Sequence, residues 1–85
     1  MNWDTNELYL WLTNDEKYYN AMIQYSRTAK EFKRFAGHRL DWINRAHKAN
    51  GNEEDWINKN EIQWNELYIA FCELIGNENP KMNLN

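Results

Sequence analysis

Apolar side chains recur along most of this chain at steps of three and four, the spacing that gathers them on one side of a helix. The first set is Leu8, Trp11 and Leu12. Asp4 and Thr5 stand just before it, and both residue types can cap a helix start by accepting its unpaired amide protons. Thr13-Asn14-Asp15-Glu16 follows and has the form of a capping box, with a Thr hydroxyl and a Glu carboxylate three residues apart. The pattern therefore predicts a short first helix ending at Thr13 and a second beginning there, with Asp15 and Glu16 at the positive end of its dipole.

The strongest stripe comes next: Met22, Tyr25, Ala29, Phe32, Ala36, Leu40, Ile43 and Ala46. It reads as one long helix, or as two with a bend near Gly37, because an interior glycine costs about 1 kcal/mol relative to alanine. Asn50-Gly51 should stop it, the glycine taking the left-handed cap. From Asn52 to Asn60 the chain is acidic and polar, with Trp56 and Ile57 as apolar anchors, and reads as a short helical turn inside a loop. A last helix is expected from Asn60 or Gln63 to Ile75, on the apolar face Ile62, Leu67, Ile69, Ala70, Phe71, Leu74 and Ile75, with Gly76 as its terminator. The predicted fold is all-α: a compact bundle of four to five helices around one long central helix, formed by residues 1–76, with a frayed tail over 77–85.

Length and composition sharpen this picture. Eighty-five residues leave room for one small core. The single cysteine, Cys72, rules out an internal disulfide or a cysteine-based zinc cluster. No apolar run approaches the roughly 20 residues needed to cross a bilayer, and the N-terminus lacks the basic and apolar regions of a signal peptide, so a soluble, cytoplasmic protein is expected. Five Trp, five Tyr and three Phe are unusual in so short a chain. Each ring buries roughly 150–250 Å² when enclosed, and together they exceed what a core of this size can hide. Two or three tryptophans are expected inside, and the others, Trp42 among them, at a surface.

Charge is unevenly spread. Ser26 to Ala49 holds seven Lys or Arg against two acids, and Asn50 to the C-terminus holds seven acids against two Lys, around an overall net charge of -3. Arg27, Lys30, Arg34 and Arg39 are candidate phosphate or partner contacts, and Glu53, Glu54 and Asp55 are a candidate acidic patch. The plainer reading of each is a solvated helix face or helix start.

Reactive chemistry finds little support. Cys72 lies on the apolar side of the last helix and reads as a small core residue. His38 and His47 are nine residues apart, about two and a half helical turns, and do not form a ligand pair. The acidic pairs lack the alternating ligands and central glycine of a calcium loop, and no glycine-rich phosphate loop is present. No catalytic residue, metal or cofactor is therefore expected.

The opening residues Asn2-Trp3-Asp4-Thr5, then Leu8, Leu10-Trp11-Leu12-Thr13-Asn14-Asp15-Glu16 and Tyr19, resemble a family of small uncharacterised phage and plasmid proteins. Its members open with an aromatic-acid-Thr motif and continue into Leu-Trp-x-x-Asn-Asp-Glu-x-x-Tyr. Trp64-Asn65-Glu66-Leu67 is similar to a second motif of that family near its C-terminus. This chain departs from the pattern at Asn6, where the family has Trp, and at Gln63, where it has Asp. The resemblance implies a mobile-element origin and no established activity.

In that setting the expected function is non-enzymatic inhibition of a bacterial defence nuclease complex, of the anti-CRISPR or antirestriction type, by occupying its surface. Trp42 and Trp56 would serve as anchors, with Arg27, Lys30, Arg34, Arg39, Glu53, Glu54 and Asp55 steering the encounter. A host protein complex is the expected partner. The alternative is a small nucleic-acid-binding regulator that uses the basic 27–48 stretch, and a homodimer burying the apolar stripe against its own copy is a third arrangement.

Overall fold

The computed structural model describes residues 1–78 of the chain. They form four α-helices, α1 (Trp3–Thr13), α2 (Glu16–Tyr25), α3 (Ala29–Ala49) and α4 (Trp64–Glu78), with 3-10 turns at Glu53–Asp55 and Lys59–Glu61 between α3 and α4. The all-α bundle is as expected. α3 is the long central helix and touches each of the other three.

Helix boundaries differ from the expectation where side chains have other work. Asn2 caps α1, its side-chain Oδ1 accepting the Thr5 N–H at 2.9 Å. Asp4 and Thr5 reach across the fold instead. Asp4 Oδ1 accepts the Asn58 N–H at 2.8 Å, and Thr5 Oγ1 accepts the Gln63 N–H at 2.9 Å. The capping box at Thr13 does not form, because the Thr13 hydroxyl donates to the Tyr9 carbonyl at 2.8 Å inside α1. Asp15 caps α2 in its place, accepting the Lys17 N–H at 2.9 Å.

The long stripe is cut at Ser26–Thr28 and is not bent at Gly37. Thr28 caps α3, its hydroxyl oxygen accepting the Glu31 N–H at 3.1 Å, and Thr28-Ala29-Lys30-Glu31 carries the Thr-x-x-Glu spacing of a helix start. Downstream of that cap α3 runs unbroken through Gly37. Its C-terminus is the expected one. Gly51 has a φ of 73°, and the N–H groups of Asn52 and Gly51 donate to the carbonyls of His47 (2.8 Å) and Lys48 (3.2 Å), the paired bonds of a Schellman motif. At the far end, α4 passes through Gly76 to Glu78, so Gly76 is not its terminator. The rest of the expected tail, 79–85, lies outside the described residues.

One core joins the elements: Leu8 and Leu12 from α1, Met22 from α2, Phe32, Ala36, Leu40 and Ile43 from α3, Ile57 and Ile62 from the connection, and Leu67, Phe71 and Ile75 from α4. Phe32 sits at its aromatic centre, with ring centroids 5.1 Å from Phe71 and 5.3 Å from Tyr68. Cys72 packs half-buried at the margin, in keeping with a packing role. No described helix is long and apolar enough to cross a membrane.

The connection from Asn52 to Gln63 lacks long regular structure, yet it places two isoleucines in the core. A buried amide on α3 makes this possible. Asn44 Nδ2 donates to the Ile57 carbonyl at 2.7 Å, and the Ile57 N–H donates to Asn44 Oδ1 at 2.9 Å. Trp56, expected beside Ile57 as a second anchor, is exposed instead.

Two stability measurements follow from this packing. Asn44→Leu should lower the unfolding free energy by about 2–4 kcal/mol in urea melts, because it strands a buried N–H and a buried C=O. Gly37→Ala should raise it by about 0.5–1 kcal/mol. An added Cβ at Gly37 would meet only the Lys59 Cε at 3.6 Å, its Nζ at 3.7 Å and the edge of Trp64 at 4.0 Å, which are ordinary contacts.

Candidate protein-docking face

α1, α2 and the outer side of α3 together build a face made largely of aromatic rings. On α1 the buried side is set by Thr5, Leu8 and Leu12, and Trp11 lies about a quarter-turn away from it. On α3, Phe35 and Trp42 are seven residues apart, hence nearly in line on the side turned towards α2. The short Ser26–Thr28 connection folds α2 back along α3. Tyr25 then meets Phe35 with ring centroids 5.6 Å apart, and Tyr18 meets Trp42 at 6.5 Å.

Most of this face remains open to solvent, with Tyr18 half-buried. Relative exposure is 38% for Leu10, 42% for Trp11, 49% for Tyr25, 38% for Phe35 and 46% for Trp42. Such a set on one side of a small protein is the kind of surface that marks an interaction site.

Arg39 lies at the middle of the face. Its guanidinium is stacked on the Tyr18 ring, and it lies 4.5 Å from the Trp42 ring centroid on its other flank. Burial pulls its pKa below the ordinary arginine value, with the Asp15 carboxylate opposing that pull through space. An arginine nonetheless keeps its charge in a protein. Its Nε and Nη2 atoms are buried and meet no acceptor within the described residues. Unpaired buried donors are uncommon, because each forgoes hydration without compensation.

Two grooves flank this stack and share Tyr18, Arg39 and Trp42 as their common wall. The α1–α2 groove, about 490 Å³, adds Glu7, Leu10, Trp11, Asn14 and Asp15. The α2–α3 groove, about 480 Å³, adds Ala21, Met22, Tyr25, Phe35, His38 and Arg45. One is therefore acidic at its rim and the other basic.

The expected contact residues are distributed among several surfaces. Trp42 and Arg39 come together on the aromatic face, but Arg39 is a half-buried, stacked group and not a freely solvated steering charge. Arg27, Lys30 and Arg34 are exposed and line neither groove. Trp56 lies elsewhere, in a shallow depression with Lys48 and Glu53, and Glu54 and Asp55 complete the exposed turn beside it. Among the described residues, no three His, Cys, Asp or Glu side chains converge as metal ligands would.

No known protein family, curated protein or solved structure matches this chain. The expected resemblance to phage and plasmid proteins finds no support in these comparisons, and several residues of the motif that carried it have structural positions here. Asn2, Asp4 and Thr5 hold the connection before α4, and Leu8 and Leu12 are buried. Gln63, the departure from the family pattern, accepts the Asn2 N–H on its side-chain oxygen at 2.7 Å.

The expectation of two or three buried tryptophans is corrected. None is buried; Trp3, Trp11, Trp42 and Trp56 are exposed and Trp64 is half-buried against the core. Leu10, Trp11, Tyr18, Tyr25 and Phe35 were not singled out as contact residues from the sequence. Trp11 and Tyr25 fall on helical apolar spacings, which made them look like core. The corresponding measurement is a pair of unfolding curves: Trp42→Ala should cost about 1 kcal/mol or less, whereas Phe71→Ala should cost about 3–5 kcal/mol.

Proposed function

We propose that this chain is a non-enzymatic interaction protein whose aromatic face docks on another protein. From the mobile-element setting implied by its motif residues, we infer that the target is a bacterial defence nuclease complex, inhibited stoichiometrically in the manner of anti-CRISPR or antirestriction proteins. The observation that carries the docking reading is the grouping of Leu10, Trp11, Tyr25, Phe35 and Trp42, each more than a third exposed, around a stacked arginine. Tyrosine, tryptophan and arginine are the residue types that dominate protein interfaces, since they supply large rigid contact areas together with a polar end.

A nucleic-acid reading draws on a different feature. Lys30, Arg34, Arg45 and Lys48 are all exposed and fall along one ridge of α3, spanning about 27 Å. Asp41 lies on the same ridge, paired with Lys59 at 3.2 Å, and the acids lining the α1–α2 groove lie on the neighbouring face. The ridge therefore offers few uninterrupted phosphate contacts.

Purified chain added to reconstituted CRISPR and restriction nucleases should abolish DNA cleavage by one of them at near-equimolar ratio, and Trp11→Ala with Trp42→Ala should weaken inhibition at least about tenfold. Binding to DNA alone, tight at low salt, lost steeply as salt rises and indifferent to both tryptophan changes, would replace this reading with the second one.

A further inference from the structure

The two grooves on the aromatic face differ in charge, and that difference specifies a partner. The α2–α3 groove has an apolar floor and wall of Ala21, Met22, Tyr25 and Phe35 and a rim of His38, Arg39 and Arg45, with no acidic residue in its lining. From Phe35 to Arg45 the α3 side of the groove extends for about 15 Å, room for roughly three turns of a helix. We propose that this groove binds an acidic segment of a partner protein, one that sets an aliphatic or aromatic side chain against Met22, Tyr25 and Phe35 and turns carboxylates towards Arg39 and Arg45. The proposal rests on the docking function above and narrows it to one groove and one partner chemistry.

Arg39 gives the groove its selectivity. Contact with both the Tyr18 and the Trp42 rings restrains the guanidinium, so little side-chain freedom is left to lose when a carboxylate arrives. Its Nε and Nη2 donors are sealed from solvent, so a carboxylate at the groove rim acts on this guanidinium through its charge and not through those two donors. A basic partner segment would meet like charges at Arg39 and Arg45 on the rim.

A single nucleic-acid strand also combines stacking groups with negative charge, and basic, ring-lined grooves bind such strands. The ring faces here are less available to it. Arg39 occupies the space between Tyr18 and Trp42, and Tyr25 and Phe35 lean on each other with planes 31° apart. Ala21 and Met22 fill much of the remaining wall with aliphatic surface that suits a side chain better than a base. Glu7 and Asp15 across the shared wall would repel a continuing phosphate backbone. A protein segment is favoured on each count.

The test is selection of a random peptide library displayed on phage against the immobilised full chain, followed by fluorescence anisotropy with the enriched peptides and with a labelled oligo-dT strand. Enriched peptides should combine an aliphatic or aromatic anchor with several Asp or Glu. Phe35→Ala and Arg45→Glu should each weaken their binding about tenfold. Both side chains are exposed, so both variants should retain the helical circular dichroism of the parent. Peptides that are basic or lack acids, no enrichment, or binding unmoved by both variants would overturn the proposal. So would oligo-dT binding lost in Phe35→Ala. Concentration-dependent self-association abolished by Arg45→Glu would also overturn it, assigning the groove to the Glu53–Trp56 segment of a second copy. Peptide binding without nuclease inhibition would leave the groove assignment standing and remove the inhibitor function. Inhibition indifferent to Phe35→Ala and Arg45→Glu would do the reverse.

Discussion

The paired hydrogen bonds between the Asn44 side chain and the Ile57 backbone hold together two parts of the fold that local structure alone would not join. Helices satisfy their own backbone groups, but the stretch from Asn52 to Gln63 has only two single turns with which to do so. A primary amide presents one donor and one acceptor side by side, the same pair that a neighbouring strand would offer. Asn44 uses both, at 2.7 and 2.9 Å, and so pairs Ile57 without a strand. Ile57 and Ile62 can then enter the core, and Asp4, Thr5 and Asn2 secure the rest of the connection against α1. α4 starts from that fixed point, with the Gln63 carbonyl accepting the Leu67 N–H at 2.9 Å.

With the connection packed against one side of α3, α2 covers another, and the placement of the rings follows. The interior is filled by Phe32, Phe71 and aliphatic side chains, with Tyr19, Tyr68 and Trp64 at its margin. An indole needs both volume and a partner for its N–H, and a core this narrow, crossed by one helix, supplies neither. The tryptophans are therefore displaced to the outside. Trp11 and Trp42 line the groove between α1 and α2, and the three-residue turn after Tyr25 brings α2 and α3 together with the rings of Tyr18 and Tyr25 facing those of Trp42 and Phe35.

How much of this could be read from the chain depends on the range of the interaction concerned. Periodicity located α1, α4 and the apolar stripe that α2 and α3 share, and Asn50-Gly51 marked the end of α3, because spacing and left-handed glycine caps act within a few residues. The break at Ser26–Thr28 was also local: Thr28 and Glu31 spell the same cap signal that was credited to Thr13 and Glu16, but the apolar spacing runs straight across it. Periodicity cannot tell a helix from two helices whose stripes stay in phase. Gly37 drew attention as a bend only through its propensity, and α3 runs unbroken through it. Asn44 left a fainter trace, a lone amide four residues after Leu40 inside an apolar stripe. Its meaning depends on Ile57, thirteen residues away, and no local rule contains that distance.

The site was legible in kind but not in membership. An excess of rings over interior volume correctly placed Trp42 outside, yet it could not say which rings would be neighbours. Neighbourhood was decided by the return of α2 along α3, which also turned Arg39 from one member of a basic stretch into a stacked and partly dehydrated group. That conversion separates recognition from mere charge. A solvated arginine contributes little to any one partner because water competes for its donors. Held between Tyr18 and Trp42, with two donors already shielded from water, the same guanidinium has surrendered part of its hydration before a partner arrives. The desolvation that usually weakens a buried ion pair is then partly complete in the free protein. The fold itself has ordered the arginine, and the partner's remaining contribution is the opposite charge.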